Sequence, residues 1–474
     1  MNKEQRKNLN QELKNFILTH TSESLARASM GWIYALSHDK AFLVENFEFQ
    51  EPKKRRSKKN TKELKQKKPK LNVDLFEKLQ CLVTSKERWE FIKEINSMRN
   101  FGGLEDSFQN ETNKKTFELA RKFISSNQKL NILVMGAGCC GLFFSNTLKK
   151  KLGKLVNILV CDNRVQESGI RKPYSRNWLT NLRKSLFNTK VDKSISDVFD
   201  WFSNGEHIGV TLNMMEILLL QSCKKNKVKF LFKDDLYDDL INKSGIDLII
   251  DATGGEIYKY YPNHEEKNIL LKVPIDKNKN DYLSFNLKDK NNCYFPYFLN
   301  KQVKNYQFKI IGIPEKLYPL IIQYVNENNY DNLFYVWTGK LIKELNEILI
   351  IINIKEENLE IFYDLLKKRT CIDKFEQFDE KVKKKIDNRI LKLINIILKV
   401  KTKKNKIYLE PPFSYTPRVK LFYKDIPKYY DKIIIPIGDS YYTGNAKVGN
   451  GLGTHLLYID ELTETIANCF GKIF

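Results

Sequence analysis

Asn131–Asp162 reads NILVMGAGCCGLFFSNTLKKKLGKLVNILVCD, and the fold turns on it. Ile132–Met135 is a short apolar run between polar residues, the pattern of a buried parallel strand. Gly136, Gly138 and Gly141 follow in GxGxxG spacing, then a helix-period segment to about Leu152. Val156–Cys161 predicts a second strand ending at Asp162. Each part suits a dinucleotide. Gly136 allows the tight turn, Gly138 lets backbone approach a pyrophosphate, and Gly141 lets the helix pack close to the strand. The helix start offers N–H groups and a positive dipole end to phosphate. Asp162, at a strand end, is placed to accept ribose hydroxyls. A glycine-rich turn in an ordinary α/β domain is the alternative.

The 474 residues suffice for two or three domains. The net charge of +24 would suit nucleic acid or an acidic membrane. Lys, Asn and Ile crowd the chain and alanines number only nine, a pattern of AT-rich coding, so charge alone names no partner. The eight cysteines are scattered with no metal-spaced CxxC pair, which suits reduced thiols. No His/Glu cluster has metal spacing, and no metal is expected. No apolar run is long enough to span a bilayer, and MNKEQRKNLNQELK lacks a signal-peptide core. A soluble, cytoplasmic protein is expected.

Residues 1 to about 50 have helical periodicity, as do 73–128. Between them, Lys53–Lys70 is almost uniformly basic and reads as a solvated tether, with nuclear localisation or RNA contact as the functional alternative. After Asp162 comes a polar, Arg-rich loop leading into a helix, then a helix at 213–224 and a strand at Val228–Phe232. Asp247–Ala252 is a further buried strand, running into the turn Thr253-Gly254-Gly255. Residues 256–404 alternate aromatic and β-branched runs with polar turns, suggesting an antiparallel sheet, followed by helix over Asn358–Lys401. The strand Ile433–Ile437 then ends in Gly438-Asp439, and Gly449, Gly451 and Gly453 open a last helix.

Three signatures thus stand in order: GAGCCG with Asp162, DATGG, and GDS with GNGLG. The pattern resembles the class A flavoprotein monooxygenases, the para-hydroxybenzoate hydroxylase superfamily. Asp162-Asn163-Arg164 and Tyr174-Ser175-Arg176-Asn177 look most like MICAL-type monooxygenases. The resemblance implies an α/β fold: an FAD-binding Rossmann-like domain of the three-layer ββα type, an inserted antiparallel β substrate domain and an N-terminal helical extension. The expected divisions are 1–125 (with a tether near 50–72), 126–255, 256–404 and 405–474.

By that resemblance, Gly136, Gly138 and Gly141 would cradle the FAD pyrophosphate and Asp162 would bind the adenosine ribose. Arg164, Arg176 and Asn177 would orient phosphates and ribose, and Thr253 and Gly254 would belong to the middle motif. Gly438 and Asp439 would hold the ribityl chain, and Gly449, Gly451 and Gly453 would place N–H donors near the flavin ring. NAD(P)H would be the reductant, and a flavin hydroperoxide would oxygenate a small molecule or side chain. The chain departs from the family at Thr253-Gly254, where Asp-Gly is usual, and at Asn213, where Arg is often found. It also lacks a proline in Ser440–Val448. These departures bear on NAD(P)H handling and oxygen activation.

No catalytic residue is identified. His455 has two readings, flavin tuning or packing at the helix start. Tyr294, Phe295, Tyr297, Phe298 and Trp337 fit a substrate pocket or a sheet core. An FAD-dependent dehydrogenase or reductase without oxygen transfer is the enzyme alternative. A nucleic-acid or partner-binding protein with structural FAD is the alternative from another class.

Overall fold

The computed structural model describes residues 4–20, 113–126 and 129–164, segments between 179 and 257 and between 267 and 419, and residues 427–429, 432–443 and 451–471. The basic run Lys53–Lys70 and the tether near 50–72 lie outside the described residues.

A six-stranded sheet carries the candidate site. Its strands are β1 (Leu130–Met135), β2 (Val156–Asp162), β3 (Lys229–Phe232), β4 (Leu248–Asp251), β5 (Lys428–Tyr429) and β6 (Lys432–Pro436). Their order is β5-β6-β4-β1-β2-β3. All pairings are parallel except that of edge strand β5 with β6. Every residue of β1, β2 and β4 is buried, as expected of parallel strands covered on both faces.

Side chains alternate across the sheet with period two. Ile132, Val134, Ile158, Val160, Ile250 and Ile435 enter one core, while Leu133, Met135, Leu159, Ile249 and Ile434 enter the other. On the first face lie helices α1 (residues 4–20), α3 (Cys139–Leu152), α4 (Leu212–Lys225) and α6 (Gly451–Gly471). Asn146 joins α3 to α4: its buried amide donates to Leu142 O at 3.0 Å and to Leu219 O at 2.9 Å. On the second face lie α2 (Asn113–Phe123) and α5 (Tyr237–Lys243), through Ala120, Leu240 and Ile241.

Among the described residues, this second face is covered by α2 and α5, and α5 lies within the link 233–247 between β3 and β4.

Two differences concern loops and boundaries. The stretch after Asp162, expected to lead into a helix, contains the strand Leu179–Arg183, paired antiparallel with His207–Thr211. Leu182 is buried opposite buried Ile208, which fixes one face of that ribbon. Ile407–Tyr415, assigned from sequence to the return segment, instead pairs with Asn305–Pro314 and Thr370–Ile372. It completes a five-stranded antiparallel sheet with Glu347–Ile354 and Phe334–Trp337. A second five-stranded sheet is built around the hairpin Lys267–Asp276 and Asp281–Asp289. Within the stretch expected to be helical over Asn358–Lys401, Asn388–Val400 is a helix and Thr370–Ile372 is a strand.

The N-terminal helix is part of the core. Leu9, Leu13, Phe16 and Ile17 of α1 are buried in the same cluster as β1 and α6. At the N-terminal edge of the sheet, Arg6 donates to Asp247 Oδ1 at 2.7 Å. The other oxygen, Asp247 Oδ2, accepts the Asn131 N–H at 2.9 Å. Leu13 is fully buried, so Leu13→Ala should lower stability by about 2–5 kcal/mol, read as a fall in the chemical denaturation midpoint of the full chain. An unchanged midpoint would show that α1 is not packed as described.

Candidate cofactor site

The C-terminal ends of β6, β4, β1 and β2 are neighbours, and each runs into a segment singled out by the sequence. Gly438–Ser440 follows β6, Ala252–Gly255 follows β4, Gly136–Gly141 follows β1, and Asp162 closes β2. Connections run in opposite directions from β1, so this edge is a topological switch point, where open α/β sheets take ligands.

The three glycines of the first turn differ in what holds them. Gly136 has φ +103°, and a Cβ there would collide with the Ala252 carbonyl. Its N–H donates to Cys161 O at 2.7 Å. At Gly141 a Cβ would fall under 3.0 Å from Gly136 O and 3.2 Å from the Ala252 Cβ. Gly138 is different. Its backbone is extended, φ −79° and ψ 179°, a conformation open to any residue, and a Cβ would meet nothing within 4 Å. Protein packing therefore explains Gly136 and Gly141 but not Gly138. The space above Gly138 adjoins the first turn of α3, whose N–H groups have no acceptor within the helix.

Asp162 is buried against this loop. Its Oδ2 accepts the Ala137 N–H at 2.6 Å. Arg164 donates to Oδ1 through its backbone N–H at 2.8 Å and Nε at 3.0 Å, and to Oδ2 through Nη2 at 2.9 Å. These donors engage about the four acceptor positions of a carboxylate. Burial alone would raise the Asp162 pKa, but the hydrogen bonds and charge of Arg164, with the Ala137 and Arg164 N–H groups, hold it below the ordinary value. The ribose acceptor expected from sequence is thus also the lock of the glycine turn. Arg164 is the more open partner, with 27% of its side chain exposed, and it reaches buried Glu216 on α4 at 3.3 Å.

The middle turn is stitched to the last one by Asp251 and Ser440. Asp251 Oδ1 accepts the Thr253 N–H at 3.0 Å, the Thr253 hydroxyl at 2.7 Å and the Ser440 hydroxyl at 2.9 Å. Ser440 Oγ in turn accepts the N–H groups of Gly254 at 2.8 Å and Gly255 at 3.1 Å. The N–H donors of Thr253 and Gly254 therefore face protein acceptors, and the open feature of this turn is the space beside Gly254.

Gly438 has φ +59° and sits on Cys140, whose Sγ would lie 2.9 Å from an added Cβ. Burial, then the charge of Asp439, pushes the Cys140 thiol up, so it stays protonated and packs. Asp439 is 64% exposed at the sheet edge, and His455 Nε2 lies 3.5 Å from its Oδ1. His455 is buried in the first turns of α6 and meets the Tyr442 ring edge-on at 5.4 Å. Burial and Asp439 push the Tyr442 pKa up to about 12. Gly451 opens α6 with nothing near an added Cβ, and a Cβ added at Gly453 would lie 3.7 Å from Leu182 Cδ2.

Arg176, Asn177 and Gly449 lie outside the described residues, as do Phe295 and Phe298. Tyr294, Tyr297 and Trp337 are placed in strands. Sequence reasoning missed Glu216, Asp251 and Ser440 as site residues. Glu216 had one visible signal, a lone charge in the apolar helical run LNMMEILLL. Asp251 had another, an acid at a strand end like Asp162 and Asp439. Among the described residues, no group of three side chains is arranged to hold a metal ion, and no helix is long and apolar enough to cross a membrane.

No protein-family model matches the chain, and no curated protein matches it. Solved structures do. A Diels-Alderase, PyrE3, in the biosynthetic pathway of pyrroindomycins is similar at 11% identity, over 70% of this chain and 66% of that one, with a TM-score of 0.38. Aklavinone-11 hydroxylase, in a complex with FAD and aklavinone, is similar at 12% identity, over 73% and 63%, with a TM-score of 0.37. CmlS, a flavin-dependent halogenase, is similar at 8% identity, over 71% and 57%, with a TM-score of 0.35. The chain spans less than two thirds of the length of each of these three.

Two predictions follow from the geometry of the turn. Gly141→Ala should destabilise the fold, because the Gly136 carbonyl leaves no room for the methyl group. Asp162 has a depressed pKa, so its contribution to stability is present above about pH 4, the ordinary carboxylate value, and is lost as pH falls through the lower folded value. The gap in urea midpoint between the natural chain and Asp162→Asn should therefore narrow below about pH 4. A gap constant from pH 7 to pH 3 would contradict the assignment.

Proposed function

We propose that the chain is an FAD-dependent oxidoreductase of the monooxygenase type. The observation that carries the reading is the cradle at Gly138, where neither backbone conformation nor packing requires glycine. A Cβ would fill that space without touching protein, and the space lies at a helix start. A diphosphate fits it, held by N–H donors and the helix dipole. The adjoining turns extend the cradle along the sheet edge. Asp439, exposed beside the third turn, suits a polyol hydroxyl such as those of a ribityl chain. Gly451 and Gly453, at the start of α6, would bring N–H groups and a positive dipole end toward the ring, favouring negative charge there. Gly136, Gly141, Asp162, Thr253, Gly254 and Gly438 shape these turns. Arg164 sits at the adenosine end, and Arg176, Asn177 and Gly449 join on the strength of sequence.

Bound flavin would supply hydride acceptance and oxygen chemistry; the protein binds it, orients it and tunes it. NAD(P)H is the proposed reductant. The antiparallel sheet around Asn305–Pro314 is the proposed cap over a small-molecule or side-chain substrate. A dehydrogenase or reductase without oxygen transfer is the second reading, favoured by Thr253-Gly254. Anaerobic reduction with NADH or NADPH, followed by oxygen with and without candidate substrates, separates the two. Oxygenated product coupled to nicotinamide oxidation supports the first, and reduction without coupling supports the second.

Gly138→Leu tests the cradle itself. The melting temperature of the full chain should be unchanged, while FAD affinity falls by roughly tenfold or more, a loss of at least 1.4 kcal/mol. Flavin content at the natural level in this variant would sink the cofactor assignment.

A further inference from the structure

The strands of the six-stranded sheet begin at the edge opposite the cofactor edge, and helices that cross over between parallel strands end there. Three lysines meet at that edge. Lys149, in the last turn of α3, donates through Nζ to Val156 O at the start of β2, at 2.7 Å. Val156 pairs with Leu130, so Lys129 stands beside it just before β1. Leu159 pairs with Lys229, so Lys227 precedes β3 on the other side. The side chain of Asn226 donates to Asn146 Oδ1 at 3.1 Å, which holds the end of α4 against α3.

Two observations set these lysines apart from ordinary helix-end charge. The first is backbone strain. Lys227 has φ +60°, and among the described residues it is the one residue other than glycine in the left-handed region. It closes α4 in a Schellman turn: the Val228 N–H donates to Cys223 O and the Lys227 N–H to Lys224 O, each at 3.0 Å. Glycine suits that conformation, and α3 ends on one, Gly153 with φ +55°. A lysine held there costs strain and contributes only its side chain. The second is crowding of like charge. Burial, then the charges of Lys129 and Lys227, lower the pKa of half-buried Lys149. Among the described residues, no carboxylate pairs with any of the three. Asp247, before β4, is engaged by Arg6 and by the Asn131 N–H.

We infer that this edge is an interaction surface for the phosphate backbone of a nucleic-acid duplex. Ammonium groups meet phosphate as point charges, without the fork by which arginine reads carboxylates and bases. Neighbouring strands lie about 4.8 Å apart, so the row from Lys129 past Lys149 to Lys227 covers about 10 Å. One strand of a B-form duplex places about three phosphates along that length of axis. Val156 O takes one of the three N–H donors of Lys149, and a phosphate in the row would accept another and relieve the repulsion there. A membrane suits the edge less well. Among the described residues, the exposed large apolar side chains are Leu119, Tyr318, Leu320, Val400 and Leu457, and none belongs to these turns. Contact here reads no base sequence, and it does not depend on FAD.

The test titrates a short fluorescent DNA duplex of mixed sequence with the full chain and reads anisotropy from about 50 to 200 mM salt. Lys227→Gly puts the unstrained residue into the turn, so the melting temperature should hold or rise. Duplex affinity should nevertheless fall about threefold, and the slope of log K against log salt should lose about 0.9. Adding Lys129→Gln should bring the fall to roughly tenfold and the lost slope to about 1.8. Absence of duplex binding by the natural chain overturns the proposal. So does binding whose affinity and slope both variants leave unchanged, since it would then lie elsewhere, at the basic run Lys53–Lys70 for example. Vesicles of phosphatidylcholine and phosphatidylserine form the membrane arm, and Lys227-dependent binding to them without binding of the duplex also overturns it. Where the double variant fails to fold, Lys227→Gly alone decides.

Discussion

The arrangement depends on one close approach of backbone to backbone. Gly136 at the end of β1, Gly141 in the first turn of α3 and Ala252 after β4 pack so tightly that a single Cβ at either glycine would strike a carbonyl. Parallel strands deliver their C-terminal ends to one edge, but edge alone does not bring loops together. The missing side chains do. They let α3 start almost on top of β1, and they let the turn after β4 slide under it. The Asp251–Ser440 hydrogen bonds then pull the turn after β6 into the same patch.

Charge is distributed over that patch with the same economy of parts. Each of the strand ends at β2, β4 and β6 brings a carboxylate, and the three have different fates. Asp162 is closed by a guanidinium and a loop N–H, and Asp251 is closed by hydroxyls and an N–H. Asp439 stands mostly in solvent, near an imidazole. Two acids therefore organise backbone and one faces outward. Burial carries a large penalty for a charged group unless hydrogen bonds offset it, and the donors around Asp162 and Asp251 supply that offset.

Much of this was legible in the sequence because it rests on local signals. The strand–turn–helix–strand of Asn131–Asp162 combines a short continuous apolar run, glycine spacing and a helical period, and each of these is read within a few residues. The start of α6 at Gly451 was legible for the same reason. What was not legible depended on contacts between distant segments. The packing of α2 and α5 on one face of the sheet joins segments more than a hundred residues apart, which leaves no periodic mark. The strand Leu179–Arg183 was read as leading into a helix because its partner, His207–Thr211, gives it its conformation. Likewise, Ile407–Tyr415 joins the antiparallel sheet through partners far upstream in the chain.

The site residues divide along the same line, and the division has a physical cause. A glycine's role is fixed by its own backbone and immediate neighbours, so the GxGxxG motif announces itself. A charge's role is fixed by whatever charge stands opposite, and the chain can supply that from anywhere. Arg164 read alone is a candidate phosphate ligand. With Asp162 two residues before it and Glu216 fifty-two positions after it, its guanidinium becomes a brace between two buried acids. The sequence shows Glu216 only as a misplaced charge on an apolar helix. A buried carboxyl either takes a cation for a partner or stays protonated, and Arg164 Nη1 donates to Glu216 Oε2 at 3.4 Å. Assigning the arginine thus requires explaining the glutamate, and one geometry accounts for both.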